Sequence, residues 1–352
     1  MILKKIKKIN ILITCIGGDY AYTLVNCLRS SKKFKFKIIG VDKKHKVEDW
    51  FLEAFYSINK EKEKSYISAI KRICIKEKIN FIIPGSEKET NLFAKNKFYF
   101  KKNNIIVPLS DYPVVNLISD KLNFYKFLKK NNIKHLNFLN INNLNQIKNS
   151  LSDFQYPSKK ILLKPRNSSG SKGIFILDKS AKKIINLLDN RTCMQLSYKL
   201  FNKFITQNKF NLKGYVMMEY IEGKFFDVDC FARKGKLLYC IPRERKYINP
   251  FSPINTGCII SKNNIIINYI RKIVQLLSID GICDFDILIY KNQPYAIDSS
   301  SRMSGSVAAS LPAKINLPEL IIDNYFNLNT VDLSIKKTYV KPVINFLKIN
   351  HK

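Results

Sequence analysis

The stretch Gly281–Gly305 reads G-I-C-D-F-D-I-L-I-Y-K-N-Q-P-Y-A-I-D-S-S-S-R-M-S-G, two apolar runs followed by a Ser-rich segment with one arginine. The runs Cys283–Tyr290 and Pro294–Ile297 are short and are separated by K-N-Q, a pattern typical of a β-hairpin with a tight turn. The sequence therefore predicts two paired strands that carry three carboxylates.

These three carboxylates fall at positions that bring them together. Asp284 and Asp286 are two residues apart and so share one face of their strand, and Asp298 reaches that face from the partner strand. Like charges destabilise such a pairing unless a cation lies between them. Carboxylate oxygens are ligands that suit Mg²⁺ or Mn²⁺, so a metal site is one interpretation. A solvated hairpin face is the other, and spacing alone does not exclude it.

The composition is that of a globular protein with a large positive charge. The chain has 352 residues, of which 46% are hydrophobic and 12% aromatic, enough for a large core and two or three domains. The net charge is +34, but the lysines are spread along the whole chain and no basic motif interleaved with aromatic residues is present. We therefore expect no specific nucleic-acid partner, and a positive field that attracts nucleotides and anionic substrates.

Cysteine, histidine and hydropathy patterns exclude several classes of protein. The eight cysteines form no C-x-x-C pair, which predicts free thiols in a reducing cytoplasm. Only three histidines occur, widely separated, so His-based catalysis is not expected. No run reaches the roughly 20 apolar residues of a membrane span. The basic start with its short apolar run is not interpreted as a signal peptide, because no small-residue cleavage site follows.

The first hundred residues alternate strand and helix signals, which predicts a Rossmann-like parallel sheet. The predicted strands are Ile11–Cys15, Phe36–Asp42 and Phe81–Gly85, and the main predicted helix is Tyr66–Lys78. The Gly17-Gly18 pair after the first strand lacks the G-x-G-x-x-G spacing, so NAD binding is not expected. The third strand leads into P-G-S-E, either a ligand-facing loop or a plain turn.

A loop further along the chain has the features of a phosphate cover. The helix Lys121–Lys130, with Asp120 as its cap, precedes a strand Ile161–Pro165 that runs into R-N-S-S-G-S-K-G. The two glycines of this loop let backbone amides approach an anion. It is not a P-loop, because the lysine, Lys164, precedes the glycines. A neutral turn is the alternative, but solvation does not explain Lys164 at the end of an apolar strand.

Downstream, the sequence predicts two more strands and a mobile loop. The strands are V-M-M-E-Y-I and F-F-D-V-D-C within Tyr215–Cys230. The segment Arg243–Gly257 is charged and contains prolines, which favours a loop over a site.

In order, L-K-P-R-N-S-S-G-S-K-G, M-E-Y-I-E-G and the hairpin ending D-S-S-S-R resemble the ATP-grasp superfamily, over about Asp111–Tyr325. Within it, the chain looks most like the carbamoyl phosphate synthetase large-subunit type. The resemblance implies an α/β chain, in which a Rossmann-like parallel-sheet domain precedes a two-subdomain ATP-grasp fold of α+β type. The implied domains are 1–112, 113–330 (subdomains about 113–215 and 216–330) and a tail, 331–352.

The resemblance also assigns roles to individual residues of this sequence. Nucleotide binding is implied for Lys121, Lys164, Ser168, Ser169, Gly170, Ser171, Gly173, Glu219, Tyr220, Ile221 and, at the ribose, Asp227 or Glu222. Metal binding is implied for Asp286, Asp298 and Ser300. Arg302 matches the arginine near the transferred phosphate, and Arg243 and Arg245 match more loosely the cations near an acyl phosphate.

The sequence departs from the family pattern at two predicted metal ligands. Asp298 stands where glutamate is usual, and Ser300 stands where asparagine is usual. Both are shorter, so a backbone advance, Asp284 or a water would have to complete the shell, or metal binding is weakened. Phe225 also replaces a glutamate common near the ribose.

The resemblance implies an ATP-dependent ligase that joins a carboxylate to an amine or a thiol through an acyl phosphate, releasing ADP and phosphate. The expected cofactors are ATP and Mg²⁺, with Mn²⁺ as an alternative metal. The expected partners are small carboxylates and amines, in the cytoplasm, with a homodimer left open. The alternative is a catalytically weak or silent ATP-binding regulatory protein of the same fold.

Overall fold

A computed structural model describes the chain at residues 7–18, 21–43, 51–58, 63–168, 172–186, 193–247 and 257–343. Its strands are β1 (Lys7–Thr14), β2 (Phe34–Asp42), β3 (Ala54–Ser57), β4 (Phe81–Ile83), β5 (Phe138–Ile141), β6 (Ile161–Pro165), β7 (Ile174–Leu177), β8 (Ile185–Asn186), β9 (Cys193–Leu196), β10 (Tyr215–Glu219), β11 (Lys224–Arg233), β12 (Lys236–Tyr247), β13 (Gly257–Ile260), β14 (Gly281–Tyr290), β15 (Gln293–Ser300) and β16 (Thr338–Val340).

The helices include five in the first third of the chain. They are α1 (Ala21–Arg29), α2 (Glu63–Lys76), α3 (Glu87–Lys95), α4 (Lys97–Lys102), α5 (Tyr112–Ile118), α6 (Lys121–Lys130), α7 (Leu144–Ser150), α8 (Tyr198–Gln207), α9 (Asn264–Leu276) and α10 (Leu317–Asn327), with a 3₁₀ helix at Val307–Ala313. No helix in the described ranges is both long enough and apolar enough to cross a membrane.

The N-terminal strands form a four-stranded parallel sheet in the order β3-β2-β1-β4. Strands buried on both faces by helices read as continuous apolar runs, and Ile11, Leu12 and Ile13 of β1 are indeed almost fully buried. The predicted Rossmann-like parallel sheet is confirmed. Since β1 lies between β2 and β4, the chain order reverses there, next to the carboxyl ends of β1 and β4.

Two six-stranded sheets follow. One has the order β5-β10-β6-β7-β9-β8, and the other has the order β15-β14-β11-β12-β13-β16. The predicted hairpin of β14 and β15 is confirmed, but its strands are longer than predicted and the turn has only two residues, Lys291 and Asn292, with φ of +46° and +58°. The longer β15 carries Ser300 inside the strand.

One prediction about the middle of the chain is wrong. Arg243 and Arg245 lie in strand β12, which continues to Tyr247, and not in a loop. They alternate with Glu244 and face carboxylates of the neighbouring strand, so charge at every second position marks one face of a sheet here. The rest of the predicted loop, 248–256, lies outside the described residues.

The chain divides into two compact units, each built from discontinuous segments. Unit 1 comprises 1–116, 226–286 and 300–352, and unit 2 comprises 117–225 and 287–299. In unit 1, a single core joins Ile13 and Leu28 to Ile241, Ile260 and Ile321. Distant parts of the sequence therefore stabilise each other. The chain-order domain limits given by the resemblance stay a prediction.

Candidate functional site

The structure groups the residues singled out from the sequence into two clusters, one within each unit. The lysine cluster, in unit 2, consists of Lys121, Lys164, Ile297 and Asp298. The arginine cluster, in unit 1, consists of Asp227, Asp229, Arg243, Arg245, Asp284 and Asp286. Each is described by itself.

Lys121 is positioned by the start of helix α6. Asp120 caps the helix by accepting a hydrogen bond from the backbone N–H of Asn123 at 3.1 Å, so the next residue, Lys121, is fixed in the first turn. Its ammonium donates to the carbonyl oxygen of Ser168 at 2.6 Å and lies 3.0 Å from Oδ1 of Asp298. Lys121 is only 6% exposed, and a buried ammonium needs such partners.

Lys164 reaches the same strand from β6. Its Nζ donates to the carbonyl oxygen of Ile297 and lies 5.4 Å from the centre of the Tyr125 ring. The hydroxyl of Tyr125 donates to the same carbonyl. Lys164 is 6% exposed, so its charge is held in an environment where an anion would interact strongly. The two ammoniums thus meet β15 at consecutive residues, 297 and 298.

The predicted phosphate loop is described only at its ends. Ser168 Oγ donates to the carbonyl of Lys172 at 3.0 Å, which ties the two ends together. Gly173 has φ of +73°, and a Cβ there would lie 2.8 Å from the hydroxyl of Tyr215. Both the backbone angle and the space require glycine. The predicted residues Ser169, Gly170 and Ser171 lie outside the described residues.

The predicted adenine-reading segment follows β10 in unit 2. The carboxylate of Glu219 accepts from the backbone N–H of Asn137 at 3.1 Å and from its side-chain amide at 2.8 Å. The N–H of Tyr220 donates to the carbonyl of Lys160 at 3.3 Å, and the Lys160 ammonium lies 5.5 Å from the Tyr220 ring. Ile221 follows as half-buried irregular backbone.

In the arginine cluster, two strands place acids opposite arginines. Asp227 of β11 is directly across from Arg243 of β12, and each arginine binds the acid on the diagonal. Arg243 donates to Asp229 at 2.6 Å, and Arg245 donates through Nε to both oxygens of Asp227 at 3.0 and 2.9 Å. Burial opposes ionisation of Asp227, but the hydrogen bond and charge of Arg245 outweigh it and lower the pKa of Asp227.

The acids of β14 have different surroundings. Asp286 accepts from Nη2 of Arg245 at 3.5 Å. Oδ1 of Asp284 is closed to solvent and has no hydrogen-bond partner. Burial, followed by the charges of Asp229 and Asp286, raises the pKa of Asp284 well above its ordinary value. Neighbouring carboxylates on one strand are thus held in different protonation environments.

Ser300 and Arg302 also belong to unit 1. The hydroxyl of Ser300, a residue 6% exposed, accepts from the backbone N–H of Arg302 at 3.3 Å. Nη1 of Arg302 donates to the carbonyl of Met303 at 2.9 Å. The hydroxyl predicted to bind a metal therefore also shapes the backbone that carries the arginine.

Within the described parts of the chain, no three His, Cys, Asp or Glu side chains are grouped as a metal site. The predicted ligands Asp286 and Asp298 belong to different units. Mg²⁺ commonly takes one or two carboxylates together with substrate phosphates, so a three-acid cage is not required. The donor set of two carboxylates and a hydroxyl has the chemistry that Mg²⁺ needs.

Two family models match the sequence. Residues 182–347 match the family described as ATP-grasp in the biosynthetic pathway with Ter operon, and residues 11–108 match the PylC-like N-terminal domain. No curated protein gives a significant match.

Solved structures agree with both models. The L-amino acid ligase from Bacillus licheniformis is similar with a TM-score of 0.61 and 15% identity, over 90% of this chain and 74% of that one. The D-alanine–D-alanine ligase from Bacillus anthracis gives 0.57 and 12%, over 92% and 98%. The chain has the ATP-grasp fold. The biotin carboxylase domain dimer of Hydrogenobacter thermophilus 2-oxoglutarate carboxylase, solved with MgADP and bicarbonate, gives 0.59 and 13%, over 87% and 67%.

The predicted fold class, including its ATP-grasp part, is therefore confirmed, whereas the carbamoyl phosphate synthetase subtype stays a prediction. The sequence reading of this ATP-grasp protein missed Asp229, Tyr125 and the serines that Arg243 contacts. Alternation was the available signal for the first of these, because D-V-D in β11 and R-E-R in β12 both place charge at every second position.

Proposed function

We propose that this chain is an ATP-dependent ligase that forms a C–N bond between a small carboxylate and an amine. ATP phosphorylates the carboxylate to an acyl phosphate, and the amine then displaces phosphate. A thiol in place of the amine would give a thioester by the same route. The observation that carries the proposal is the convergence of two buried ammoniums, Lys121 and Lys164, on consecutive residues of β15.

Two buried positive charges within one compact unit favour a polyanionic ligand. The cost of burying an ammonium is offset only by anions or oriented dipoles, and phosphates supply both charge and several acceptor oxygens. In the proposal, Lys121 and Lys164 bind the nucleotide phosphates, the loop Ser168–Gly173 covers them, and the segment Glu219–Ile221 contacts the adenine. Phosphoryl transfer needs mainly positioning and neutralisation of charge, so no protein nucleophile is required.

The metal belongs to the same proposal. Asp286, Asp298 and Ser300 would hold Mg²⁺, whose contribution when bound is to neutralise charge on the phosphate oxygens. Arg302 would place its guanidinium beside the transferred phosphate, and Arg245, whose side chain is 25% exposed, would face the acyl phosphate. The similar biotin carboxylase domain was solved with MgADP, which supports ATP and Mg²⁺ as cofactors here.

The best-matched family model supports a biosynthetic role by its description, ATP-grasp in the biosynthetic pathway with Ter operon. The similar ligases from Bacillus licheniformis and Bacillus anthracis are named for amino-acid substrates. Amino acids are therefore the first carboxylates and amines to test, before hydroxy acids and acidic sugars.

The test is phosphate release from ATP by the full chain, screened against amino acids and sugar acids with Mg²⁺ and with Mn²⁺. We expect turnover that requires two substrates together. Lys164→Ala and Asp286→Asn should each abolish it, because they remove a phosphate contact and a metal ligand. Lys148→Ala on α7 and Asp153→Asn, both at exposed residues, are the matched controls and should retain full turnover. Near-normal activity in Lys164→Ala and Asp286→Asn would refute the assignment.

A second candidate, a silent ATP-binding regulatory protein, is favoured by one observation. Each predicted metal carboxylate already has a cation nearby, since Asp298 lies 3.0 Å from Lys121 and Asp286 lies 3.5 Å from Arg245. Such a protein would bind MgADP but show no substrate-dependent turnover. Restoring the usual ligands with Asp298→Glu and Ser300→Asn should then increase metal affinity, whereas in a working enzyme the same changes should reduce turnover.

A further inference from the structure

Arg243 has no terminal N–H left for a substrate. Nη1 donates to the carbonyl of Ser306 at 2.8 Å and to its hydroxyl at 2.5 Å. Nη2 donates to Asp229 at 2.6 Å and to the hydroxyl of Ser304 at 2.8 Å. These four bonds use all four terminal hydrogens of the guanidinium. The residue is 1% exposed, so it is enclosed by groups of its own unit.

Asp229 completes the same arrangement. Its Oδ1 accepts from the backbone N–H of Ser304 at 3.1 Å, and its Oδ2 accepts from the hydroxyl of Ser304 at 3.0 Å as well as from Arg243. Asp229 is 2% exposed. The pair therefore binds one backbone N–H and one backbone carbonyl of the segment 304–306, together with both of its serine hydroxyls.

This segment follows directly after Arg302 and has no regular secondary structure. Strand β15 ends at Ser300, and the 3₁₀ helix begins at Val307. Irregular backbone lacks the ladder of hydrogen bonds that fixes a strand, so side-chain bonds determine its position. Within 301–306, the contacts to Asp229 and Arg243 are bonds of this kind to an enclosed, fully hydrogen-bonded ion pair.

We propose that Asp229 and Arg243 are positioning residues that hold the segment 301–306 and thereby set the place of Arg302. This inference replaces the direct contact with an acyl phosphate that the sequence assigned to Arg243. It rests on the proposed function for the role of Arg302 in turnover, but the immobilisation of the segment can be measured without any activity. Arg245 lies two residues further along β12 and binds neither serine in the bonds described, so it is the natural comparison.

The key variant is the double replacement Asp229→Leu with Arg243→Met. Removing one member of a buried ion pair leaves the other charge buried and unpaired, whereas replacing both by apolar residues is often tolerated. The double variant should therefore fold while releasing the segment. The matched control is Lys33→Met with Asp323→Leu, which removes another ion pair of the same unit that does not contact residues 300–306.

The first measurement is hydrogen exchange followed by mass spectrometry on the full chain. We expect the peptide covering 301–306 to exchange about tenfold or more faster in the double variant, with β1 and β14 unchanged, and no change in that peptide in the control. Unchanged exchange in the double variant would overturn the proposal whether or not any turnover is ever found. Faster exchange throughout the unit would overturn it too, because the pair would then support the fold in general.

The second measurement is MgATP turnover with an equimolar mixture of the standard amino acids. We expect kcat to fall about 100-fold in the double variant, with KM for ATP unchanged. Adding Arg302→Lys to that background should cause little further loss, because both changes act on the same guanidinium. Losses that multiply would mean that Arg243 acts separately from Arg302, against the proposal. If no wild-type turnover occurs, the proposed function fails and hydrogen exchange alone decides on the segment.

Discussion

Glu89 is a buried carboxylate that holds the carboxyl ends of two parallel strands together. It is 2% exposed and accepts hydrogen bonds from the hydroxyl of Thr14 at 2.8 Å, the thiol of Cys15 at 3.0 Å and the hydroxyl of Ser86 at 3.0 Å, as well as from Tyr66. Thr14 ends β1, and Ser86 lies just beyond β4. A single side chain therefore closes the edge where the strand order reverses.

The substitution Glu89→Gln should destabilise the protein by about 1–3 kcal/mol, the usual cost of leaving buried hydrogen-bonding groups unsatisfied. An amide offers one acceptor oxygen where the carboxylate offers two, and all four partners of Glu89 donate to it. The free energy of unfolding in urea measures the effect. Glu87→Gln is the matched control, because it removes the same charge from the first turn of α3 at a half-buried position. Equal losses in the two variants would show that only the helix charge matters.

The sequence indicated a loop or a turn near Ser86, but not this cluster. Each member was ambiguous alone, since a threonine, a tyrosine and a glutamate in apolar surroundings each fit several structures. The residues are up to 75 positions apart in the chain, and only the parallel pairing of β1 with β4 brings them together. Long-range register is not encoded in local periodicity, which is the physical reason for the omission.

At the scale of elements, the glycine that ends the phosphate loop is a test of the nucleotide proposal. Gly173 and Gly214 have similar backbone angles, with φ of +73° and +79°, but only Gly173 is crowded. A Cβ on Gly173 would lie 3.0 Å from Cγ of Pro165 and closer still to the hydroxyl of Tyr215, whereas one on Gly214 would meet nothing within 4 Å.

Both Gly173→Ala and Gly214→Ala should lose about 1–2 kcal/mol of stability, because alanine is strained in the left-handed region. Only Gly173→Ala should also weaken MgADP binding, since Pro165 or Tyr215 must shift at the end of the loop that carries Lys164. Isothermal titration of the two variants with MgADP separates the effects. Equal MgADP affinities in both variants would argue against a phosphate-binding role for this loop.

The hairpin that opened the sequence interpretation shows how far local patterns reach. Alternation and the polar K-N-Q segment correctly indicated two strands and a turn. The exact turn was not predicted, because Lys291 and Asn292 both adopt positive φ, a conformation that asparagine accepts but lysine does not favour. The loop predicted at Arg243 was wrong for a related reason. Charged residues indicated exposure, yet paired acids on β11 make the same positions suitable for a buried strand.

At the scale of the whole molecule, the sequence indicated the order of the motifs but not the discontinuity of the units. Residues near both ends of the chain, such as Leu28 and Ile321, share one core. Hydrophobic periodicity shows that each is buried, and it does not show against what. The ordered motifs carried the ATP-grasp resemblance because each has a local backbone requirement, such as a glycine at positive φ or a lysine at the end of a strand.

The net charge of +34 gives the last prediction, which concerns the whole surface. Its field should attract unrelated oligonucleotides at low salt, and that binding should fall about 10³-fold or more between about 50 and 200 mM salt as counterion release is lost. MgADP binding should fall far less, because buried ammoniums such as Lys121 and Lys164 are screened less than exposed ones. Fluorescence anisotropy with labelled oligonucleotide and titration with MgADP, at both salt concentrations, provide the comparison. The double variant Lys121→Met, Lys164→Met should lose MgADP binding and keep the oligonucleotide binding, since it removes only two of 61 basic residues. Oligonucleotide binding that persists at the higher salt and disappears in this variant would instead mean that nucleic acid, and not a mononucleotide, occupies the lysine cluster.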